Sequence, residues 1–163
     1  MEIEIRILDD RLREWGLPQF QSDMAAGIDL FACLETPLRL EPQAPAVLIP
    51  TGFALHMNNE RVCALIFPRS GLGHKWGLVL GNGTGVVDAD YMAECFVSVW
   101  NRNPPASGSE GGEGTIVVNA GDRIAQMVFV PIFRPRLVEV SVFSETSRRG
   151  LGGFGSTGGA GLG

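Results

Sequence analysis

Hydrophobic and polar residues alternate with a period of two along many short stretches of this chain. The clearest example spans residues 94–100, where Cys95, Val97 and Val99 share one face, because successive side chains of a strand point to opposite faces. The same pattern predicts further strands at residues 2–8, 26–33, 46–49, 53–57, 61–67, 86–87, 115–118, 123–133 and 137–143.

Turn-forming residues separate these stretches, and helical patterns are nearly missing. No segment keeps a 3.6-residue apolar period beyond two turns, so we expect at most one short helical turn, within residues 71–76, and an irregular connection at residues 9–21. Short strands with regular turn signals predict an all-β protein, namely a sandwich, a barrel or a jelly roll. The turn signals are Pro37, Pro42, Pro50, Asn58, Asn59, Gly121, Asp122, Pro131 and Pro135.

Composition narrows the class of protein. A chain of 163 residues with 45% hydrophobic content can bury one substantial core, which predicts one main domain. No apolar run approaches the ~20 residues that span a bilayer, and no signal-peptide pattern opens the sequence. Cys33, Cys63 and Cys95 lack metal-ligand spacing and are expected to be buried, reduced thiols in a cytoplasmic protein. The net charge of −5 argues against a nucleic-acid surface.

Two polar segments interrupt or follow the strand pattern. Residues 103–114 (NPPASGSEGGEG) lie between two predicted strands and are typical of a mobile hairpin loop. Residues 148–163 are mostly glycine, which is typical of a linker, but they also carry cations, one aromatic ring and hydroxyl groups. A flap that closes over a phosphorylated aromatic ligand needs these groups.

Glycine, carboxylate and aromatic residues occur together in residues 81–92 (GNGTGVVDADYM). The glycines allow a sharp turn and a close approach of the backbone to a ligand. Asp88, Asp90 and Tyr91, the only tyrosine of the chain, follow directly. The stretch is either a pocket for a ring or a glycine-rich hairpin with solvated acids.

A second glycine-containing stretch, residues 68–75 (PRSGLGHK), follows a predicted strand. Arg69, the Ser70 hydroxyl and successive backbone N–H groups could form a nest for phosphate oxygens. The stretch lacks the G-x-x-x-x-G-K-[ST] pattern, so it predicts no P-loop. His74 is expected to be structural rather than catalytic.

Five stretches, in order, resemble the five motifs of the trimeric dUTP pyrophosphatases (dUTPases). A single motif would be weak evidence, but five in order are highly specific, and the resemblance covers nearly the whole chain. The stretches are residues 26–32 (AGIDLFA), 68–75, 81–91, 121–126 (GDRIAQ) and 149–158 (RGLGGFGSTG).

The resemblance implies hydrolysis of dUTP to dUMP and pyrophosphate with Mg²⁺, which keeps uracil out of DNA and supplies dUMP for thymidylate synthesis. It also implies a jelly-roll-like β-barrel, residues 1–147, with a flexible carboxyl-terminal arm, residues 148–163. The active unit is expected to be a homotrimer whose active sites are shared between subunits, with no nucleic-acid or membrane partner.

Roles for individual residues follow from the same resemblance. Asp88 is expected to act as general base, and Tyr91 to pack under the deoxyribose and exclude a 2′-hydroxyl. Asp29 is expected to support the metal through water, without any direct protein ligand. Asn82, with the backbone around Gly85 and Val87, would read uracil; Arg69, Ser70, Gly71 and Gln126 would hold the α- and β-phosphates; Arg149, Ser156 and Thr157 would reach the γ-phosphate; Phe154, next to Gly155, would stack on the base.

Some residues depart from the family pattern, and two other functions stay open. Met92 and Ala93 stand where the family more often has a polar or basic residue and glycine, and Gly83 and Thr84 replace bulkier apolar residues. The dCTP deaminases resemble the same fold, but their catalytic glutamate would fall near Ser98 and they lack the Phe-Gly-Ser-Thr arm. The other alternative is a trimer that binds nucleotide or a protein without turnover.

Overall fold

The computed structural model describes residues 1–105 and 114–144. These residues form ten strands, one short α-helix and one π-helical turn, Leu72–Trp76, called the π turn below. The elements are β1 (Glu4–Ile7), α1 (Leu12–Trp15), β2 (Ile28–Phe31), β3 (Leu38–Leu40), β4 (Val47–His56), β5 (Val62–Pro68), β6 (Leu78–Leu80), β7 (Gly85–Val87), β8 (Glu94–Asn101), β9 (Ile116–Val118) and β10 (Arg123–Pro131).

The strands form two four-stranded antiparallel sheets and one two-stranded ribbon. The first sheet has the order β1-β4-β8-β6, the second has the order β2-β10-β5-β7, and the ribbon pairs β3 with β9. The predicted all-β, jelly-roll-like class is therefore confirmed. The described strands form separate sheets and do not close into the predicted barrel.

One hydrophobic cluster joins the inward faces of both sheets. Cys95, Val97 and Val99 of β8 are buried, as their alternation predicts, whereas the neighbouring Phe96 is exposed. Phe53 on β4 and Met127 on β10 contribute fully buried side chains from different sheets to the same cluster. Removal of this apolar surface from water is the main stabilising contribution to the fold.

The cysteines belong to this interior. Cys33, Cys63 and Cys95 are free and buried, as predicted. Burial raises the pKa of the Cys33 thiol to about 12 and that of the Cys95 thiol to about 11, because the thiolate is disfavoured away from water. Both side chains are therefore protonated and packed as small apolar groups at neutral pH.

β4 corrects the prediction of two separate strands at residues 46–49 and 53–57. It runs unbroken from Val47 to His56 through Pro50, and its register against β8 shifts between Pro50 and Ala54. Gly52 adopts a φ of 74° at this shift, and Thr51 donates its hydroxyl to the carbonyl of Cys95 at 2.7 Å. A proline is tolerated here because the irregular register removes the need for a regular ladder hydrogen bond.

The helix α1 lies in the stretch predicted to be irregular. Leu12 is fully buried, and a carboxylate oxygen of Asp9 accepts a hydrogen bond from the backbone N–H of Arg11 at 3.0 Å. The side-chain hydrogen bond from Arg11 lowers the pKa of Asp9. Four helical residues are too few to show a 3.6-residue period, so the sequence pattern could not reveal this element.

Residues 137–143 do not form the predicted strand. The chain divides after Phe133, and residues 134–144 contain no strand although their apolar and polar residues alternate. Leu137, at 91% exposed, and Val142 and Phe143 are uncovered. Alternation describes one face of a strand, but a strand also needs a neighbouring strand for its backbone hydrogen bonds, so the pattern alone does not determine a strand.

The remaining sequence predictions agree with the described structure or lie outside it. The short turn predicted within residues 71–76 is the π turn, whereas the three-residue strands β3 and β6 were not predicted. Residues 106–113 of the predicted loop and the predicted arm, residues 148–163, lie outside the described residues. No helix in residues 1–105 and 114–144 is long and apolar enough to cross a membrane.

Candidate functional site

A polar cavity of about 440 Å³ opens where β5 ends and the chain turns into the π turn. It is lined by the residues predicted to hold phosphates, Arg69, Ser70, Gly71 and Gln126, and by Asp29. We call this set the phosphate cradle. Its members come from three of the five motifs, so the fold brings together side chains that are far apart in sequence.

The position of β10 explains this convergence. β10 lies between β2 and β5, so Gln126 is opposite Asp29 on one side and Phe67 on the other. The Gln126 side-chain amide donates to the carbonyl of Pro68 at 3.0 Å. This hydrogen bond ties the end of β5, and hence the beginning of the cradle, to the centre of the sheet.

Two arginines hold the Asp29 carboxylate. Arg69 Nε lies 3.0 Å from Asp29 Oδ1, and Arg123 Nη1 lies 3.2 Å from Asp29 Oδ2. Arg69 Nη1 also donates to the carbonyl of Arg123 at 3.3 Å. The Asp29 side chain is only 14% exposed, so these contacts fix the guanidinium of Arg69 beside the cavity.

Sequence reasoning missed four groups around the cradle. Leu72, Lys75 and Trp76 of the π turn also line the cavity, and Arg123 pairs with Asp29. The available signal was their place inside the quoted motifs or immediately after one. Lys75 adds a positive charge that favours an anionic ligand. His74 does not line the cavity, and its structural role stays a prediction.

The glycine-rich stretch is a connection between the two sheets rather than a hairpin within one. β6 pairs with β8 of the first sheet, and β7 pairs with β5 of the second. Gly83 has a φ of 72°, and a Cβ on Gly81 would lie 2.9 Å from the Ser98 hydroxyl oxygen. The glycines are therefore required by a tight turn and a close approach, and they leave Asn82 exposed.

Asp88 and Tyr91 lie in one turn directly after β7. The Tyr91 N–H donates to the Asp88 carbonyl at 3.1 Å, and the Tyr91 hydroxyl donates to the Glu94 carbonyl at 2.9 Å. The Tyr91 ring is held in place by its hydroxyl but remains 41% exposed. The Asp88 side chain is also exposed to solvent. A flat aromatic surface and a carboxylate are thus presented together.

Asp88 and the phosphate cradle lie at opposite ends of β5 within one chain. Val87, which precedes Asp88, is paired with Ala64, and Gly85 with Ile66, whereas Arg69 follows the last residue of β5. Five residues from position 64 to position 69 span roughly 16 Å of extended strand. Within one chain, the residues predicted to bind phosphate and the pair formed by Tyr91 and Asp88 therefore do not meet.

The remaining predicted groups are a metal site and the arm. Residues 1–105 and 114–144 contain no group of three or more His, Cys, Asp or Glu side chains that could hold a metal ion. Arg149, Phe154, Gly155, Ser156 and Thr157 lie outside the described residues. Their predicted roles stay predictions.

Comparison with known proteins agrees with this geometry. Curated relatives include the deoxyuridine 5′-triphosphate nucleotidohydrolases of Xanthomonas campestris pv. campestris (strain B100), 47% identical, and of Xanthomonas oryzae pv. oryzae (strain MAFF 311018), 46% identical. The alignments cover 96% of this chain and 96% and 94% of those proteins. The match thus extends over both parts of the site.

Solved structures with the same fold include dUTPases of bacteriophages. The dUTPase of Staphylococcus bacteriophage 80alpha with dUPNHPP has a TM-score of 0.81 and 28% identity over 96% of this chain and 98% of its own. A mutant dUTPase from phage phi11 of S. aureus, whose structure reveals the coordination of a structural Mg(II) ion, has a TM-score of 0.76 and 28% identity, covering 89% of this chain and 100% of its own. The dUTPase family model matches residues 13–158, and the chain belongs to the dUTPase family.

Proposed function

We propose that this protein hydrolyses dUTP to dUMP and pyrophosphate by attack of water at the α-phosphate. The observation that carries the proposal is the phosphate cradle, in which Arg69, Ser70, Gly71 and Gln126 line one polar cavity. The relatives named for deoxyuridine triphosphate hydrolysis, 47% identical over 96% of the chain, support the same reaction. The reaction removes dUTP and produces the dUMP that thymidylate synthesis consumes.

The cradle binds the α- and β-phosphates in this proposal. Arg69 supplies charge, Ser70 a hydroxyl donor and Gly71 an unobstructed backbone N–H, while Gln126 anchors the turn through Pro68. Phosphoryl chemistry depends mainly on positioning and charge neutralisation. The double ion pair of Asp29 supports this role because it orients Arg69 before a ligand arrives.

In this proposal, residues in and next to the turn after β7 bind the uracil, the deoxyribose and the attacking water. Asn82 and the backbone at Gly85 and Val87 read the uracil edge, and the Tyr91 ring packs under deoxyribose. Asp88 orients the attacking water and accepts its proton. The exposure of Asp88 next to Tyr91 supports these roles, and the alternative of purely solvated acids gives no reason for a tyrosine ring pinned at its hydroxyl.

Mg²⁺ fits this site as an ion held mainly by substrate and water. Both oxygens of Asp29 contact arginines, so Asp29 supports a metal only through water. When bound with the substrate, Mg²⁺ neutralises phosphate charge, and it commonly keeps several waters while contacting phosphates. The protein's own contribution is to fix the phosphate oxygens with Arg69 and the cradle N–H groups.

The active unit in this proposal is a homotrimer with shared active sites. Asp88 lies roughly 16 Å along β5 from the cradle of its own chain, too far to activate a water at a phosphate held there, since a general base needs hydrogen-bond reach. A closed ring of identical chains places the turn of one subunit beside the cradle of the next.

Mixing two inactive variants tests the shared site. We expect Asp88→Asn and Arg69→Ala each to be nearly inactive alone, but a refolded equimolar mixture to recover up to about a quarter of wild-type activity, because mixed trimers hold one intact site each. Activity is measured as pyrophosphate release, with the oligomeric state followed by sedimentation. An active monomer, or no recovery in proven mixed trimers, would contradict the proposal.

Tyr91 is expected to exclude ribonucleotides sterically. Tyr91→Ala should lower kcat/KM for dUTP and narrow the ratio between dUTP and UTP, since the ring no longer occupies the space of a 2′-hydroxyl. Tyr91→Phe is the matched control because it keeps the ring and loses only the hydrogen bond to Glu94. An unchanged dUTP-to-UTP ratio in Tyr91→Ala places discrimination elsewhere.

A substrate panel tests the reaction itself. The protein is incubated with each dNTP and with UTP in the presence of Mg²⁺, and pyrophosphate and deaminated base are both measured. Pyrophosphate from dUTP alone is the expected result; release of deaminated base from dCTP would indicate a deaminase, and binding without turnover would indicate a non-enzymatic protein. We assign the enzyme to the cytoplasm, which the three free, buried cysteines support.

A further inference from the structure

The π turn that follows the phosphate cradle is held from outside by two side chains of one neighbouring segment. Arg102 Nη2 donates to the Gly73 carbonyl at 2.8 Å, and Asn103 Nδ2 donates to the Trp76 carbonyl at 2.9 Å. The Arg102 N–H also donates to the Gly77 carbonyl at 3.0 Å. These bonds reach carbonyl groups at the beginning and the end of the turn, so they determine where it lies.

The Asn103 amide is itself fixed in place. Asn101 is 1% exposed, and its Oδ1 accepts the Asn103 N–H at 3.0 Å while its Nδ2 donates to the carbonyls of Leu40 and Gly114 at 2.8 Å each. Asn103 Nδ2 contacts the same Gly114 carbonyl at 3.2 Å. Both amide hydrogens of Asn103 therefore have acceptors: the Trp76 carbonyl in the π turn and the Gly114 carbonyl just before β9.

Close packing reinforces this connection at the end of the turn. Gly77 adopts a φ of 77°, and a Cβ at Gly77 would collide with the Asn103 side-chain amide. The cradle side of the turn is bonded internally, since the Gly73 N–H donates to the Arg69 carbonyl at 3.0 Å. A displacement of Gly73 is therefore expected to move Arg69 as well.

We propose that Asn103, assisted by Arg102, is a positioning residue for phosphate binding: it sets the position of the π turn and thus of Arg69, Ser70 and Gly71. Asn103 does not line the phosphate cavity, although it lines a neighbouring cavity of about 740 Å³ that shares Arg69 and Trp76 with it. We assign its action to the turn because its side-chain amide donates to the carbonyls of Trp76 and Gly114. The inference rests on the proposed role of the cradle. Asparagine is suited to the position because its amide donates to two carbonyls, whereas aspartate would place a charge against both.

Asn103→Ala is tested beside two reference variants. Gln43→Ala is the control. Gln43 Nε2 donates to the carbonyls of Arg102 and Asn103 at 2.8 and 3.1 Å. The substitution therefore removes two hydrogen bonds to the same segment but none to the π turn. Ser70→Ala reports the cradle directly. Measured quantities are the dissociation constants of pyrophosphate and of deoxyuridine, kcat and KM for dUTP, and the thermal midpoint of each variant.

We expect Asn103→Ala to weaken pyrophosphate binding about tenfold and to lower kcat/KM for dUTP by about 10- to 100-fold, since small misplacements of positioning groups have effects of this size. The dissociation constant of deoxyuridine should change by less than about twofold in Asn103→Ala. In Gln43→Ala, pyrophosphate binding and kcat/KM for dUTP should also change by less than about twofold, as for the loss of a neutral contact. This selective loss at the phosphate end is not expected from a general loss of stability.

The positioning role is overturned if Asn103→Ala and Gln43→Ala bind pyrophosphate equally well while Ser70→Ala binds it more weakly. That result would leave the proposed role of the cradle intact. Unchanged pyrophosphate binding in Ser70→Ala and Asn103→Ala together overturns the cradle and the inference with it. If Asn103→Ala does not fold, Arg102→Ala is measured in its place, because it removes the bond to Gly73. Normal pyrophosphate binding in that variant also rejects the inference.

Discussion

Asp88→Asn is expected to lower kcat for dUTP by at least about 10²-fold while leaving dUTP binding nearly unchanged, because an amide keeps the shape of the carboxylate but cannot accept the proton of the attacking water. The Asp88 side chain is exposed at the end of β7, so neutralising it leaves the core packing untouched. Steady-state kinetics and titration with a non-hydrolysable dUTP analogue separate turnover from binding.

Asp90→Asn is the matched control for this experiment. Asp90 lies in the same turn, is also exposed, and is two residues from Asp88, so its replacement changes the local charge equally. We expect Asp90→Asn to retain most of the wild-type kcat. Near-normal kcat in Asp88→Asn, or equal losses in the two variants, would remove Asp88 from the role of general base.

Truncation after Glu145 is expected to leave a folded oligomer with a similar thermal midpoint but with dUTP hydrolysis reduced by about 10²-fold or more. Every buried hydrophobic side chain among the described residues precedes Val128, so the truncation removes none of them. We expect stacking of Phe154 on uracil to contribute about 1–3 kcal/mol. We also expect Arg149 and Ser156 to add charge-assisted hydrogen bonds to the γ-phosphate.

The arm is further expected to act as a lid that senses a triphosphate. Ordering a glycine-rich segment costs about 1–2 kcal/mol per residue, so only a ligand with enough contacts can order it, and dUMP lacks the γ-phosphate. Release of the lid after cleavage would favour product departure. Hydrolysis by the truncated protein at the full-length rate would reduce the arm to a linker.

Single substitutions within the arm distinguish its parts. Phe154→Ala should weaken dUTP and dUMP binding similarly, because both ligands present uracil, whereas Arg149→Ala should weaken only the triphosphate. Affinities for dUMP and for a non-hydrolysable dUTP analogue, measured in the full-length protein, give this comparison. Equal effects of Arg149→Ala on both ligands would contradict contact with the γ-phosphate.

Local pattern was sufficient for the class of fold. The period-two alternation of β8 and the turn signals predicted an all-β protein, since burial of one face imposes that period. The residues that line the cradle, Arg69, Ser70, Gly71 and Gln126, were named from the resemblance to the dUTPase motifs, and their contacts with phosphate stay a prediction.

Other features required tertiary structure because they depend on which strands become neighbours. The register of β10 places Gln126 opposite Asp29, and the ion pairs of Asp29 with Arg69 and Arg123 follow from that register. The glycine-rich stretch proved to link two sheets, and residues 137–143 alternate without pairing in the described chain. Alternation indicates which side of a strand is apolar. Long-range packing determines which strands become neighbours, in which register they pair, and how far Asp88 lies from the cradle.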